Sequence, residues 1–266
     1  MTGTTADPGA RRVALVTGGT SGIGLATVRL LAEQGLAVYL CARTAEDVAL
    51  TVKQFTDAGL PVAGRPCDVR DAAGVAELVD AAVAAFGRID VVVNNAGRSG
   101  GGVTADLSDE LWDDVLATNL TGAFLVTRAV LRAGGMRERG WGRIIMIAST
   151  GGKQGVELAA PYCAAKHGVI GLTKAVGKEL ARTGITVNAV CPGYVETPMA
   201  ERVRQGYAKA WNTTTDDILT RFEAKIPLGR YTTPDEVAGL VQYLTTDAAA
   251  AITAQALNVC GGLGNY

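Results

Sequence analysis

Seven short apolar, β-branched runs, separated by segments of helical periodicity, constrain this 266-residue chain more than any other feature. The runs are Val13–Thr17, Leu36–Cys41, Val62–Cys67, Asp90–Asn94, Arg143–Ser149, Thr186–Cys191 and Gln255–Val259. Between them, Gly24–Gln34, Ala45–Ala58, Ala72–Phe86, Glu110–Leu131, Tyr162–Arg182 and Pro234–Thr245 carry apolar residues at helical spacing. Strand, helix, strand is the unit of a parallel sheet, because a parallel neighbour needs a long, right-handed crossover. The runs are continuously apolar, which predicts a sheet covered by helices on both faces. No linker interrupts the rhythm, and the 48% hydrophobic content is enough for a core of that size. The chain therefore reads as α/β: one doubly wound domain over residues 11–266, with about seven parallel strands. Met1–Ala10 has no apolar stretch and reads as a disordered tail, not a signal peptide.

Charge and rare residues exclude several functions. With 25 basic and 26 acidic residues the net charge is −1, and no polybasic run invites nucleic acid or a membrane surface. No apolar run reaches the ~18–20 residues that cross a bilayer, so a soluble, cytoplasmic protein is expected. Five cysteines (Cys41, Cys67, Cys163, Cys191, Cys260) are scattered without a CxxC and read as reduced core residues. His167 is the only histidine, so a multi-histidine metal site is excluded and no metal is expected. A Ser-His-Asp hydrolase would have to use His167, whose place directly after Lys166 reads as an ordinary helix position.

One segment breaks the rhythm. Nearly forty residues, Gly193 to Arg230, separate a strand from the next clear helix, with helical stretches near Glu201–Trp211 and Asp216–Ala224. A long insertion at the carboxyl end of a strand reads as a lid, placed at about 194–230. The plainer alternative is a surface helical pair that only packs.

The first strand runs into Thr17-Gly18-Gly19-Thr20-Ser21-Gly22-Ile23-Gly24, which opens the first helix. Glycines let backbone approach a pyrophosphate, and a helix N-terminus offers it free N–H groups. That context predicts a Rossmann-type dinucleotide site. The second strand ends in Cys41-Ala42-Arg43-Thr44, with no acid between Leu36 and Ala45 to bind a ribose 2′-hydroxyl. Arg43 suits a 2′-phosphate instead, which predicts NADPH over NADH. Asp68 and Val69, after the third strand, are placed for the adenine. Asn95, Ala96 and Gly97, after the fourth, let a cofactor lie against the sheet.

Tyr162 and Lys166 stand four apart, on one face of a helix, thirteen residues after Ser149. A cation beside a phenol favours the phenolate and lowers its pKa from about 10 toward neutrality. Gly18-x-x-x-Gly22-x-Gly24, Asn94-Asn-Ala-Gly97, Asn119, Ser149, Tyr162-x-x-x-Lys166 and Pro192-Gly193 together resemble the short-chain dehydrogenases/reductases, in order and spacing, from about Val13 to the C-terminus. More specific strings are similar to the ketoreductases of aromatic (type II) polyketide synthases: Asn94–Gly102, Ala148–Val156, Glu179–Gly193 and the tail Ala256–Tyr266.

The resemblance implies a reaction. Hydride passes from a nicotinamide to a ketone, Tyr162 supplies the proton, and Ser149 holds the carbonyl oxygen. Lys166 lowers the Tyr162 pKa and binds the nicotinamide ribose. Asn119 holds a water that relays protons to Lys166. Val195 and Thr197 contact the nicotinamide carboxamide, and Pro192 and Gly193 before them also border the cofactor. Singly, these residues have ordinary readings: Asn119 a helix kink, Ser149 a strand-end hydroxyl.

The substrate it implies is a poly-β-ketone on an acyl carrier protein, reduced near C9 to a secondary alcohol. Carrier proteins are acidic, so Arg43, Arg70 and Arg98 form a candidate docking patch, with solvated charge as the alternative for Arg70 and Arg98. Candidate substrate walls are Ser99, Gly100, Gly101, Thr150, Gln154, Val156, Met199, Tyr207, Trp211 and Leu263. Ser99-Gly100-Gly101 stands where the resembling enzymes read Pro-Gly-Gly, which leaves the handedness of the alcohol open. A homotetramer is implied by the same likeness. The alternatives are a β-ketoacyl-carrier-protein reductase of fatty-acid synthesis and, from another class, a non-catalytic NADPH-binding regulator.

Overall fold

The computed structural model describes residues 11–264. The tail at 1–10 and the last two residues of the C-terminal string lie outside the described residues. Seven parallel strands form one sheet: β1 Val13–Thr17, β2 Ala37–Ala42, β3 Val62–Pro66, β4 Val91–Asn94, β5 Gly142–Ile147, β6 Ile185–Pro192 and β7 Ala256–Val259. Their order is β3-β2-β1-β4-β5-β6-β7, so the chain winds one way to β3, then returns past β1 and winds the other way. The reversal between β1 and β4 opens a crevice at the strands' carboxyl ends, where ligands of such sheets sit.

Ten helices are described around the sheet: α1 Gly22–Glu33, α2 Ala45–Asp57, α3 Ala72–Phe86, α4 Asp109–Leu116, α5 Gly122–Ala133, α6 Met136–Arg139, α7 Ala160–Leu180, α8 Pro198–Ala210, α9 Thr215–Glu223 and α10 Pro234–Thr245. Strand alternation divides the core into two layers. Leu15 of β1 faces the layer holding Leu78, Val126 and Val169 from α3, α5 and α7. Its neighbours Ala14 and Val16 face the layer holding Leu31, Phe55 and Val241 from α1, α2 and α10. Every residue of β1, β4, β5 and β6 is buried, including the polar Thr17, Asn94, Arg143, Thr186 and Asn188.

The helix read at Glu110–Leu131 is α4 and α5 joined by a π turn at Ala117–Thr121. By length and composition the run Asp109–Ala133 is apolar enough to cross a membrane. Its apolar residues Val115, Leu125, Val126 and Val130 are instead buried within the fold. The π turn places Asn119, which is buried, at the cleft. Such turns inside α-helices mark functional sites more often than chance.

The segment read as a lid folds as α8 and α9. Thr197 caps α8 and Thr214 caps α9 through a capping box with Asp217. A satellite cluster of Ile218, Phe222, Ile226 and Tyr231 holds the pair together, with Tyr194 stacked on Phe222 at 4.6 Å and on Tyr231 at 5.2 Å.

Candidate active site

The crevice is a cleft of about 900 Å³, floored by the carboxyl ends of β1, β2, β4, β5 and β6 and walled by α8. At one end the Gly-rich loop turns from β1 into α1. Gly18 has φ +65°, and a Cβ there would lie 2.9 Å from Asn95 Nδ2 and 3.0 Å from the Ala96 backbone. Ser21 opens α1 without a side-chain cap, and the first turn carries no acid. The helix's partial positive charge therefore faces the cleft uncompensated, and Thr20, Ser21, Gly22 and Ile23 line it.

Two residues read as cofactor contacts lie behind this loop instead. Thr17 is buried, and its hydroxyl accepts the backbone N–H groups of Asn95 and Ala96 at 3.0 Å each, tying β1 to β4. Gly24 lies beneath the turn, where a Cβ would sit 2.0 Å from the Gly18 carbonyl oxygen. Asn95 lines the cleft, but its amide donates to the Thr17 and Gly18 carbonyls at 2.9 and 3.0 Å and so braces the loop.

Arg43, after β2, is exposed on the cleft rim and forms no ion pair among the described residues. Asp68 and Val69 line the adjoining wall. The Asp68 carboxylate accepts from Arg70 Nε at 3.0 Å and from Nη2 at 2.6 Å. The same arginine holds the Asp68 pKa below its ordinary value.

At the other end lie the candidate catalytic groups. Tyr162 is half-buried in the first turn of α7, and Lys166 is buried one turn on, with Nζ 5.6 Å from the Tyr162 ring centroid. Burial pushes the phenol above its ordinary pKa, and a hydrogen bond with Ser149 draws it partly back. This corrects the expectation that Lys166 brings the phenol toward neutrality. The ammonium donates to the carbonyl of Ile147 at 2.8 Å, and burial drops its own pKa to about 8. Ser149 Oγ accepts from Gly151 N at 3.0 Å, which fixes the oxygen and leaves its proton to donate.

Asn119 Nδ2 donates to the carbonyls of Val115 at 2.9 Å and Arg98 at 3.0 Å, while its Oδ1 accepts from Arg98 N at 3.2 Å. The kink reading and the cleft reading of Asn119 are thus one arrangement. A Cβ on Gly97 would meet Asn119 Oδ1 at 2.7 Å and Lys166 Nζ at 3.7 Å, so the missing side chain keeps that corner open.

Pro192, Gly193, Val195 and Thr197 leave β6 along the cleft, with Thr197 Oγ1 capping α8 through Ala200 N at 3.2 Å. Thr150, Gln154, Val156, Met199, Tyr207 and Leu263, read from the sequence as substrate walls, all line the cleft. Ser99, Gly100 and Gly101 form its rim. Side chains there would collide with Val115 at Gly100 and with the Leu158 carbonyl at Gly101. Trp211 does not line the cleft: it packs edge-on against Tyr207 and Phe222 within the α8–α9 cluster, because it falls at the end of α8.

Sequence reasoning missed Leu158, Tyr194 and Val203 as lining residues. Val203 lies one turn between Met199 and Tyr207, a spacing that could have found it. Leu158 has φ +58°, a conformation that no sequence signal announces for leucine.

The model of the short chain dehydrogenase family matches residues 12–208. The chain belongs to that family. A ketoacyl reductase of a monensin polyketide synthase from Streptomyces virginiae is 70% identical over 255 residues, covering 96% of this chain and 98% of its own. Ketoacyl reductase 1 of a granaticin polyketide synthase from Streptomyces violaceoruber is 61% identical over 264 residues, covering 98% and 97%. A crystal structure of an actinorhodin polyketide ketoreductase variant with NADPH superposes with a TM-score of 0.94 at 61% identity, covering 96% of this chain and 98% of that one.

Proposed function

We propose that this short chain dehydrogenase is an NADPH-dependent ketoreductase of aromatic polyketide biosynthesis. It reduces one ketone, at C9, of a poly-β-ketone carried by an acyl carrier protein. The observation that carries the reading is the Tyr162 phenol on the cleft, bonded to Ser149 and one helical turn from buried Lys166.

The residues fit the cofactor. The uncapped start of α1 and the side-chain-free approach at Gly18 suit a pyrophosphate, and Arg43, exposed on the rim with no ion pair among the described residues, suits the 2′-phosphate. Bound NADPH supplies the hydride. Ser149 turns its one hydroxyl proton from the phenol to the ketone oxygen and holds that oxygen beside Tyr162. Tyr162, protonated at neutral pH because burial raises its pKa, delivers the proton as charge builds on that oxygen. Lys166 is poised near neutrality to return it, and Asn119, fixed at the π turn, stands on the route toward solvent.

The protein acts in the cytoplasm, and α8 and α9 close as a lid over the substrate. We also read it as a homotetramer; exposed Trp112, Phe124, Leu228 and Tyr243 offer apolar surface for subunit contacts. A single-subunit mass in light scattering would contradict that.

Tyr162→Phe tests the chemistry. Ketone reduction should fall at least about a thousandfold, while NADPH fluorescence titration gives an unchanged Kd. Full turnover in that variant refutes the proton-donor assignment. Preference for short linear β-ketoacyl thioesters over polycyclic ketones would favour the fatty-acid reductase. NADPH binding with no reduction of any ketone by the unmutated chain would favour a regulator.

A further inference from the structure

The rim of the cleft carries more negative charge than a docking patch for an acidic partner needs. Arg70 and Arg98 both pair with Asp114, a single carboxylate on α4. Arg70 is also held by Asp68 at 2.6 Å. Asp114 is only a quarter exposed, so each pair is partly shielded from solvent. Two arginines and two aspartates cancel, and Arg43 alone of the three candidate arginines has no ion pair among the described residues.

The tether extends into the site. Arg98 Nε donates to the Ser99 carbonyl at 3.1 Å, and the Arg98 backbone exchanges hydrogen bonds with Asn119. The next residue of α4, Val115, closes on Gly100. One turn of α4 thus sets the arginine side chains, the Ser99–Gly101 rim and the Asn119 amide together.

We propose that Asp114 is a positioning residue that leashes Arg98 and Arg70. An incoming phosphodiester must displace its carboxylate before either arginine can bind the arm of a carrier-bound substrate. This inference rests on the carrier-bound reading given above. The leash sets a threshold: an acidic, phosphate-bearing partner competes for the arginines, whereas a free neutral ketone gains nothing from them. It also makes the two arginines unequal. Loss of Asp114 removes the one carboxylate paired with Arg98 among the described residues but leaves Arg70 on Asp68.

The test is Asp114→Asn in the full-length enzyme, assayed with one ketone in free and carrier-bound form. The ratio of kcat/KM, carrier-bound over free, should rise about three- to tenfold and fall more steeply with salt. Asp114→Glu, which keeps the charge, should restore the wild-type ratio. In an Arg98→Ala background the gain should shrink to the smaller part owed to Arg70. Inhibition by free 4′-phosphopantetheine provides an arm that needs no carrier protein, and it should strengthen by a similar factor in Asp114→Asn. An unchanged ratio with unchanged inhibition overturns the leash. So does an equal gain in the Arg98→Ala background. If the wild type ignores carrier-bound ketones yet the phosphopantetheine arm responds, the leash stands and the carrier-bound reading fails.

Discussion

Lys166 is a buried cation that donates a hydrogen bond to the Ile147 carbonyl, and its pKa falls from 10.5 to about 8 on folding. Burial is the main cause, since it disfavours the charged form. The sign follows from linkage. Below pH 8 the folded chain holds a desolvated charge that the unfolded chain holds in water, so the group destabilises the fold. The penalty fades as pH rises through the folded pKa and is gone above the unfolded one. With these values it is about 3 kcal/mol at pH 7 and about 1.4 kcal/mol at pH 9.5.

Lys166→Met fills the same space without charge. Removing the lysine also strands the Ile147 carbonyl at both pH values, so the difference between them isolates the charge. The stability of Lys166→Met relative to wild type should drop by about 2 kcal/mol between pH 7 and pH 9.5. Urea unfolding of nucleotide-free protein at the two pH values measures it. An offset between variant and wild type that does not change with pH refutes the claim that burial holds this lysine near neutrality. On the proposed mechanism, in which Lys166 returns the proton, ketone reduction should be lost at both.

Two further substitutions probe the cofactor end. Gly24→Ala places a methyl group 2.0 Å from the Gly18 carbonyl, so its Tm should fall by about 5 °C or more; a melt within about 1 °C of wild type contradicts the packing role given to this glycine. Arg43→Ala removes the rim cation suited to a 2′-phosphate, so KM for NADPH should rise about tenfold or more while KM for NADH stays put; equal changes for both cofactors refute that role.

Most of the framework was legible because it is local. Apolar, β-branched runs such as Val91–Val93, set between helical segments, read as strands covered on both faces, and the Gly18–Gly24 turn needs nothing beyond its neighbours to mark an anion site. The Tyr162–Lys166 spacing likewise places two side chains on one helical face without help from the rest of the chain. Misreadings arose where a residue's role depends on what crosses from elsewhere. Thr17 and Gly24 belong to the same motif as Gly18, yet one ties β1 to β4 and the other fits under the turn. Trp211 reads as a pocket aromatic until α9 brings Phe222 against it.

By itself, the order of residues determined the strands, the helices, the turn that faces a dinucleotide and the pairing of phenol with amine, because each follows from spacings within a few residues. Folding in three dimensions decided the charge states. Dry surroundings raise Tyr162 and lower Lys166, and Asp114, distant in sequence from Arg70, neutralises arginines that look free on the page. Solvation and long-range Coulomb partners are properties of assembled surroundings, and no local pattern encodes them.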